Sequence, residues 1–449
     1  MSGESATRFQ GLRRIAPQDV SAAAPTPVDA STRARAGEIV DAVRAGGEPA
    51  LRGFATELDG LPPGAPLVLG DEDFDRALEA TTRETRALIE RVARRVRIFA
   101  EAQVASLSAI DVPVPGGRAG HDVVPVQAAG CYAPGGRYPL PSSVLMTAVT
   151  ARAAGVPHVV VATPDPGPLM VAAAAIAGAD AVLAAGGAHG IAALASGLDD
   201  AFRPSDVIVG PGNRWVTAAK QQVAAGSVGI DLPAGPSELC VLADDGADPD
   251  LVAADLLAQA EHDPDARPTL VARSAAFVDR VDERLRARLD ELATRGVAVQ
   301  ALTQGVAVIA PGESEALAAV DDLAPEHLQL CVADPARAKD QLRHFGAAFL
   351  GEESAEVFGD YGIGPNHVLP TGGAARFSGG LSALHFLRVR TWLRLDDPAA
   401  AIDDCAALAE LEQLDGHRRA ALARRSRGSR AARTSTRERD RLRDGTLRP

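Results

Sequence analysis

The chain has 449 residues, 46% of them hydrophobic and 23% charged, the make-up of a soluble globular protein with room for two or three domains. A formal net charge of −13 argues against nucleic acid as a partner for the body of the protein. Cys131, Cys240, Cys331 and Cys405 are widely spread and form no C-x-x-C, so neither a disulfide framework nor a Cys-rich zinc site is expected. No basic start leads into an apolar core, and no apolar run of about 18 residues follows, so no membrane partner is expected and a cytoplasmic enzyme is the default.

In chain order, residues 1–30 are rich in Ala, Pro and Thr and read as an N-terminal arm. Ala36 to Ala45 reads as a helix stopped by Gly46-Gly47. Asp73 to Val104 is amphipathic and rich in Arg and Glu, two helices or one bent one with a solvated charged face. From Asp122 to Gly235 short β-branched runs alternate with Ala-rich helical runs. Strands are expected at His158–Ala162, Ala181–Leu183 and Val207–Val209, with helices at Ser142–Gly155, Leu169–Gly178 and Trp215–Ala225. Repeated strand–loop–helix units imply a parallel sheet covered on both faces. A second α/β region follows, with strands at Leu239–Ala243, Pro268–Ala272, Val306–Ile309 and Ala347–Leu350 and a charged helix from Ala276 to Thr294. Ile402 to Arg424 is helical in pattern. Residues 425–449 lack apolar periodicity and read as a disordered basic tail.

Ligands of parallel sheets sit beyond the carboxyl ends of the strands. Three Gly-rich turns follow strands here: Pro134-Gly135-Gly136, Gly186-Gly187 and Gly210-Pro211-Gly212. Their backbone N–H groups either cradle a phosphate at a helix N-terminus or simply close tight βα turns, and none has the G-x-G-x-x-G spacing.

Several side chains can carry chemistry. Gln259 and His262, three apart at the end of an apolar helical run, share a helix face and can supply half of a metal site. Glu326-His327 is either a pair of bases beside one centre or a helix-starting Glu next to a core His. Asp360 in a Gly-rich loop is a carboxylate ligand or a turn residue. Ser237-Glu238 offers a hydroxyl and a carboxylate, or caps a helix. Glu412 and His417 are five apart on the last helical stretch.

In order, these stretches resemble one family, histidinol dehydrogenase. The matching motifs are CYAPGGRYPLPSSVLMTAVTARAAGVP (131–157), AGGAHGIAALASG (185–197), VGPGNRWVTAAKQQV (209–223), VGIDLPAGPSE (228–238), AQAEHDPDA (258–266), APEHLQL (324–330), GDYGIGPNHVLPTGGAARFSGGLS (359–382) and LAELEQLDGH (408–417), and the resemblance runs from about residue 35 to 424. It implies a homodimer with two unequal Rossmann-like α/β domains, one inserted in the other, and small helical terminal extensions. On this sequence that means a catalytic domain of 31–129 and 238–381, an inserted NAD-binding domain of 130–237, and a C-terminal helical extension of 382–424 that supplies ligands to the partner subunit.

The resemblance further implies one Zn²⁺ per subunit held by Gln259, His262, Asp360 and His417, the last from the partner subunit. Ser237, Gln259, His262, His327, Asp360, Glu412 and His417 would contact substrate, and Tyr132, His189 and Asn213 would contact NAD. Glu326 and His327 would be the catalytic bases. The implied reaction is a four-electron oxidation of L-histidinol to L-histidine through the aldehyde. Some features are similar to a sister branch that includes sulfopropanediol 3-dehydrogenases, among them Gly379-Gly380-Leu381 with Phe386-Leu387, and His189 stands where the family usually has Gln. The same mechanism on another small polar alcohol is therefore one alternative, and a non-catalytic dimeric scaffold is another.

Overall fold

The computed structural model describes residues 9–20, 28–135, 139–232 and 235–425. Its strands, in chain order, are β1 Arg13–Ile15, β2 Val68–Leu69, β3 Ile110–Val114, β4 Gly117–Pro125, β5 Ala128–Tyr132, β6 His158–Ala162, β7 Ala181–Leu183, β8 Val207–Val209, β9 Gly229–Ile230, β10 Glu238–Ala243, β11 Arg267–Ala272, β12 Val306–Ile309, β13 His327–Cys331, β14 Ala347–Leu350 and β15 Leu387–Leu395. Among the described residues they form two six-stranded sheets and one three-stranded sheet.

The first sheet has the order β1-β12-β11-β10-β13-β14 and is parallel throughout. Its central strands are buried along almost their whole length, as strands covered on both faces must be. Helices Pro249–Ala260 and Ala275–Leu289 cover one face through Leu256, Phe277, Val281 and Leu285, all fully buried. Ala316, Val320 and Leu342 lie over the other. The second sheet has the order β2-β7-β6-β5-β8-β9, parallel except where β2 meets β7. This is the α/β architecture of two parallel sheets that the sequence implies.

The differences from expectation have local causes. Residues 13–15, assigned to a loose arm, are β1, an edge strand whose partner Val306 lies far along the chain. Three residues are too few to show periodicity, so only the partner makes the strand. The first helix starts at Ala30, where the Asp29 carboxylate accepts the Thr32 N–H at 2.8 Å. It does break at Gly47 (φ 56°), but resumes through Pro49 to Leu58. This helix packs on the helices Gly187–Ser196 and Arg214–Ala224 of the second sheet, and β2 joins that sheet's edge. The start of 31–129 therefore goes with the second sheet rather than the first. The charged stretch is two helices, Asp71–Ala80 and Arg83–Ala105.

The described residues divide into two compact units: those within 9–104 and 125–386, which hold both six-stranded sheets, and those within 105–124 and 387–425. In the smaller unit β3, β4 and β15 pair in the order β15-β4-β3, and helices Ala399–Leu411 and Asp415–Leu422 pack on each other. The extension at 382–424 is thus not purely helical. The alternation in Leu387-Arg388-Val389-Arg390-Thr391-Trp392-Leu393-Arg394-Leu395 is a strand pattern. The tail expected to be disordered lies outside the described residues, apart from Arg425.

Candidate active site

Parallel pairing sets Leu239 of β10 opposite His327 of β13, so Ser237, Glu238, Glu326 and His327 gather where these neighbouring strands begin. The helix Pro249–Ala260 runs back from the far end of β10 and brings Gln259 and His262 to the same edge. It stops one turn earlier than expected: Gln259 is in its last turn, Glu261 is the C-cap, and His262 lies beyond, its N–H still donating to the Gln259 carbonyl at 3.3 Å. The short helix Glu356–Asp360 packs against that helix and β13, and supplies Asp360. The helix-start reading of Glu326 and the helix-cap reading of Ser237 both fail, because each residue leads into a strand.

His327 is the centre of the cluster. Its Nδ1 lies 3.1 Å from the Glu238 carbonyl oxygen, which can only accept, so the proton sits on Nδ1 and Nε2 carries the lone pair. Nε2 has no hydrogen-bond partner, and lies 3.8 Å from Asp360 Oδ1 and 3.9 Å from Glu356 Oε1. Burial holds the imidazole pKa down at about 4, so the ring is neutral at pH 7, with its basic nitrogen aimed at the carboxylates. Phe349 stacks on the ring at 6.1 Å. Glu326 Oε2 accepts the Glu238 N–H at 2.8 Å and lies 3.6 Å from His327 Nδ1. Burial first, then the neighbouring carboxylates, push the Glu326 carboxyl well above its usual range. Burial likewise raises Glu238 and Glu356.

Asp360 Oδ2 lies 3.7 Å from His262 Nε2. Gln259 is fully buried, and neither its amide nitrogen nor its amide oxygen has a hydrogen-bond partner. A buried amide with both ends unpaired costs stability unless a ligand completes it. The unpaired amide oxygen, the imidazole and the carboxylate form an N/O donor set of the kind Zn²⁺ takes. The structure therefore brings together Ser237, Gln259, His262, Glu326, His327 and Asp360. Sequence reasoning missed Glu356, whose Oε1 is also buried without a partner, and His367, whose Nδ1 lies 2.9 Å from the Asp360 carbonyl oxygen. Glu356 sits in an ordinary helix-start pattern that gives no signal. His367 lay in the quoted Gly-rich motif and could have been nominated.

Glu412 and His417 belong to the smaller unit. Glu412 is the C-cap of Ala399–Leu411, Gln413 takes φ 59°, and His417 is exposed on the next helix. The helix break between them replaces the single helix expected.

The residues expected to meet the dinucleotide lie at the carboxyl ends of the second sheet. Tyr132 ends β5, and Asn213 follows β8 and caps the helix Arg214–Ala224 by accepting from Trp215 N–H. Their turns are internally satisfied. Gly186 N–H donates to Asp59 Oδ2 at 2.7 Å and Gly187 N–H to Tyr132 Oη at 3.1 Å. Gly210 N–H donates to Asp231 Oδ2 at 2.7 Å, and its carbonyl accepts from Lys220 Nζ at 3.0 Å. Lys220 and Asp231 form a buried ion pair. At Gly210, φ is 123° and a Cβ would sit 2.0 Å from the Tyr132 carbonyl oxygen, so only glycine fits. The Gly186, Gly187 and Gly210 N–H groups are thus taken by protein acceptors. In the third turn, Gly136 lies outside the described residues. His189 is 1% exposed and pairs through Nε2 with Asp59 Oδ2 at 2.7 Å.

A family model described as histidinol dehydrogenase matches residues 24–425. The chain belongs to the histidinol dehydrogenase family. With that family it joins the NAD-dependent oxidoreductases. The histidinol dehydrogenase of Cereibacter sphaeroides is 44% identical over 391 residues, covering 85% of this chain and 89% of the relative. That of Thermus thermophilus is 44% identical over 388 residues, covering 85% and 92%. The crystal structure of histidinol dehydrogenase from Elizabethkingia anophelis superposes with a TM-score of 0.86 at 28% identity, covering 92% of this chain and 98% of that one. Among the described residues no helix is long and apolar enough to cross a membrane.

Proposed function

We propose that this chain catalyses the NAD⁺-linked, four-electron oxidation of L-histidinol to L-histidine at the amino-end cluster of the first sheet. The observation that carries this reading is the buried His327, neutral and fixed by the Glu238 carbonyl, with its free Nε2 facing the carboxylates beside Gln259 and His262. His327 takes the proton of the substrate alcohol at Nε2. Glu326, the second base on the same edge, removes a proton from the water that adds to the aldehyde. Its raised pKa makes it a strong base once ionised. Burial of both groups keeps bulk water from the reacting carbon. Gln259, His262 and Asp360, with His417 of the partner subunit, would hold Zn²⁺, and Ser237 and Glu412 would add substrate contacts. When bound, the metal would supply a charged template that orients the substrate's donor atoms, and two NAD⁺ in succession would take the two hydrides that the four-electron oxidation releases. A homodimer follows from this reading, since His417 and Glu412 complete the partner's site.

The test is NADH formation by zinc-loaded protein with L-histidinol, run beside 2,3-dihydroxypropane-1-sulfonate. Two NADH per L-histidinol supports the reading. Turnover of the sulfonate alone sinks the substrate assignment and leaves the chemistry.

A further inference from the structure

The cofactor half of the molecule contains a buried pair that the mechanism above does not use. Asp59 is the C-cap residue of the helix Ala30–Leu58, more than 120 positions before the turn it touches, and its side chain is 12% exposed. One oxygen, Oδ2, accepts both from the Gly186 N–H and from His189 Nε2, each at 2.7 Å. It therefore fixes two things at once. It sets the path of the backbone where β7 turns into the helix Gly187–Ser196, and it sets the tautomer and ring plane of His189. With the proton on Nε2, His189 Nδ1 is an acceptor, and it has no protein partner. Phe54, on the same helix as Asp59, lies beside the imidazole at a centroid distance of 6.2 Å. Tyr132 Oη takes the neighbouring Gly187 N–H, so the carboxylate, the phenol and the imidazole form one connected set around the turn.

We propose that Asp59 is a positioning residue of the dinucleotide site, acting through His189 and the Gly186-Gly187 turn. This rests on the reading of Tyr132, His189 and Asn213 as the cofactor side. A carboxylate accepting from two buried donors is stronger than a neutral acceptor, so removing it frees both the turn and the ring.

The experiment is direct NAD⁺ titration of the zinc-loaded protein, with steady-state kinetics, for Asp59→Asn, His189→Leu, His189→Gln and the Asp59→Asn/His189→Leu double variant. Zinc content and thermal midpoint are measured alongside. Asp59→Asn is expected to weaken NAD⁺ about tenfold, the size of one lost charged hydrogen bond, with the loss falling on KM for NAD⁺ more than on kcat. The double variant should be no worse than the weaker-binding single one. Glutamine keeps a donor for Asp59 and an acceptor, so His189→Gln should bind NAD⁺ better than His189→Leu. This comparison serves even where Asp59→Asn folds poorly. The inference is overturned by an Asp59→Asn protein that binds NAD⁺ normally while His189→Leu does not, by losses that multiply in the double variant, or by equal losses for His189→Gln and His189→Leu. If every His189 variant and Tyr132→Phe bind NAD⁺ as the parent does, the dinucleotide lies elsewhere, and the underlying reading falls with the inference.

Discussion

The two six-stranded sheets are built alike but finish the edges that gather the candidate residues differently. On the first, the candidate catalytic residues collect at the amino ends of β10 and β13, and buried polar atoms there stand without partners: both ends of Gln259, His327 Nε2 and Glu356 Oε1. On the second, the residues of interest lie at the carboxyl ends, and Asp59, Tyr132, Asp231 and Lys220 take up the Gly186, Gly187 and Gly210 backbone groups, leaving His189 Nδ1 buried there without a partner. The lesson concerns where stability is spent. An edge with unpaired donors and acceptors is costly until something with complementary charge completes it. An edge with its groups internally paired holds its shape unaided and offers a preset surface. The residues nominated for the dinucleotide lie at the strand ends where parallel sheets ordinarily bind ligands, whereas those nominated for the substrate lie at the opposite ends of the first sheet.

This contrast can be broken most forcefully at its two poles. On the open edge, His327→Asn should lower kcat by roughly 10² to 10⁴ while zinc content stays stoichiometric, because only the base is lost. Unchanged turnover, read by NADH formation, would remove His327 from the mechanism. At the second edge, Lys220→Met leaves Asp231 buried without its countercharge. It should cost about 3–5 kcal/mol of stability, measured by urea unfolding.

A smaller effect follows from protonation. With burial holding His327 at about 4, the unfolded imidazole binds a proton below its ordinary 6.5 while the folded one does not. This residue therefore contributes a loss of stability as pH falls through that window, up to about 1.4 kcal/mol per pH unit. In chelator-treated protein, His327→Asn should gain on the parent between pH 6.5 and 5. A constant difference would show that the ring is not held neutral. Smaller still, Gln259→Leu removes an unpaired buried amide. It should raise the stability of the metal-free protein by about 1 kcal/mol while weakening zinc in a chelator competition, and loss of stability would mean that the amide is paired without metal. Last, burial raises the thiol pKa values of Cys131, Cys240 and Cys331 to about 12, whereas Cys405 is exposed. Iodoacetamide at pH 7.5 should label Cys405 alone in the native protein, as mass mapping would show.

Much of this was legible in the sequence. The strands at 158–162, 181–183 and 207–209 stand where their β-branched runs place them, because buried parallel strands advertise themselves as short apolar blocks. Gln259, His262, Glu326, His327 and Asp360 could be nominated because their side chains can hold a metal or move a proton and the motifs around them resemble one family. Other features had no local signal. Glu356 looks like any glutamate in a helix's first turn, and Asp59 like any residue at a helix end. β1 is three residues that become a strand only beside Val306.

The sequence by itself determined the class of fold, the family and most of the candidate site residues, since apolar periodicity and residue chemistry are local properties. The tertiary structure alone decided at which edge of each sheet the candidate residues gather, that Gln259 is buried without a partner, and that Asp59 reaches His189 and Gly186. Those facts depend on contacts between residues far apart in the chain, and no local pattern encodes them.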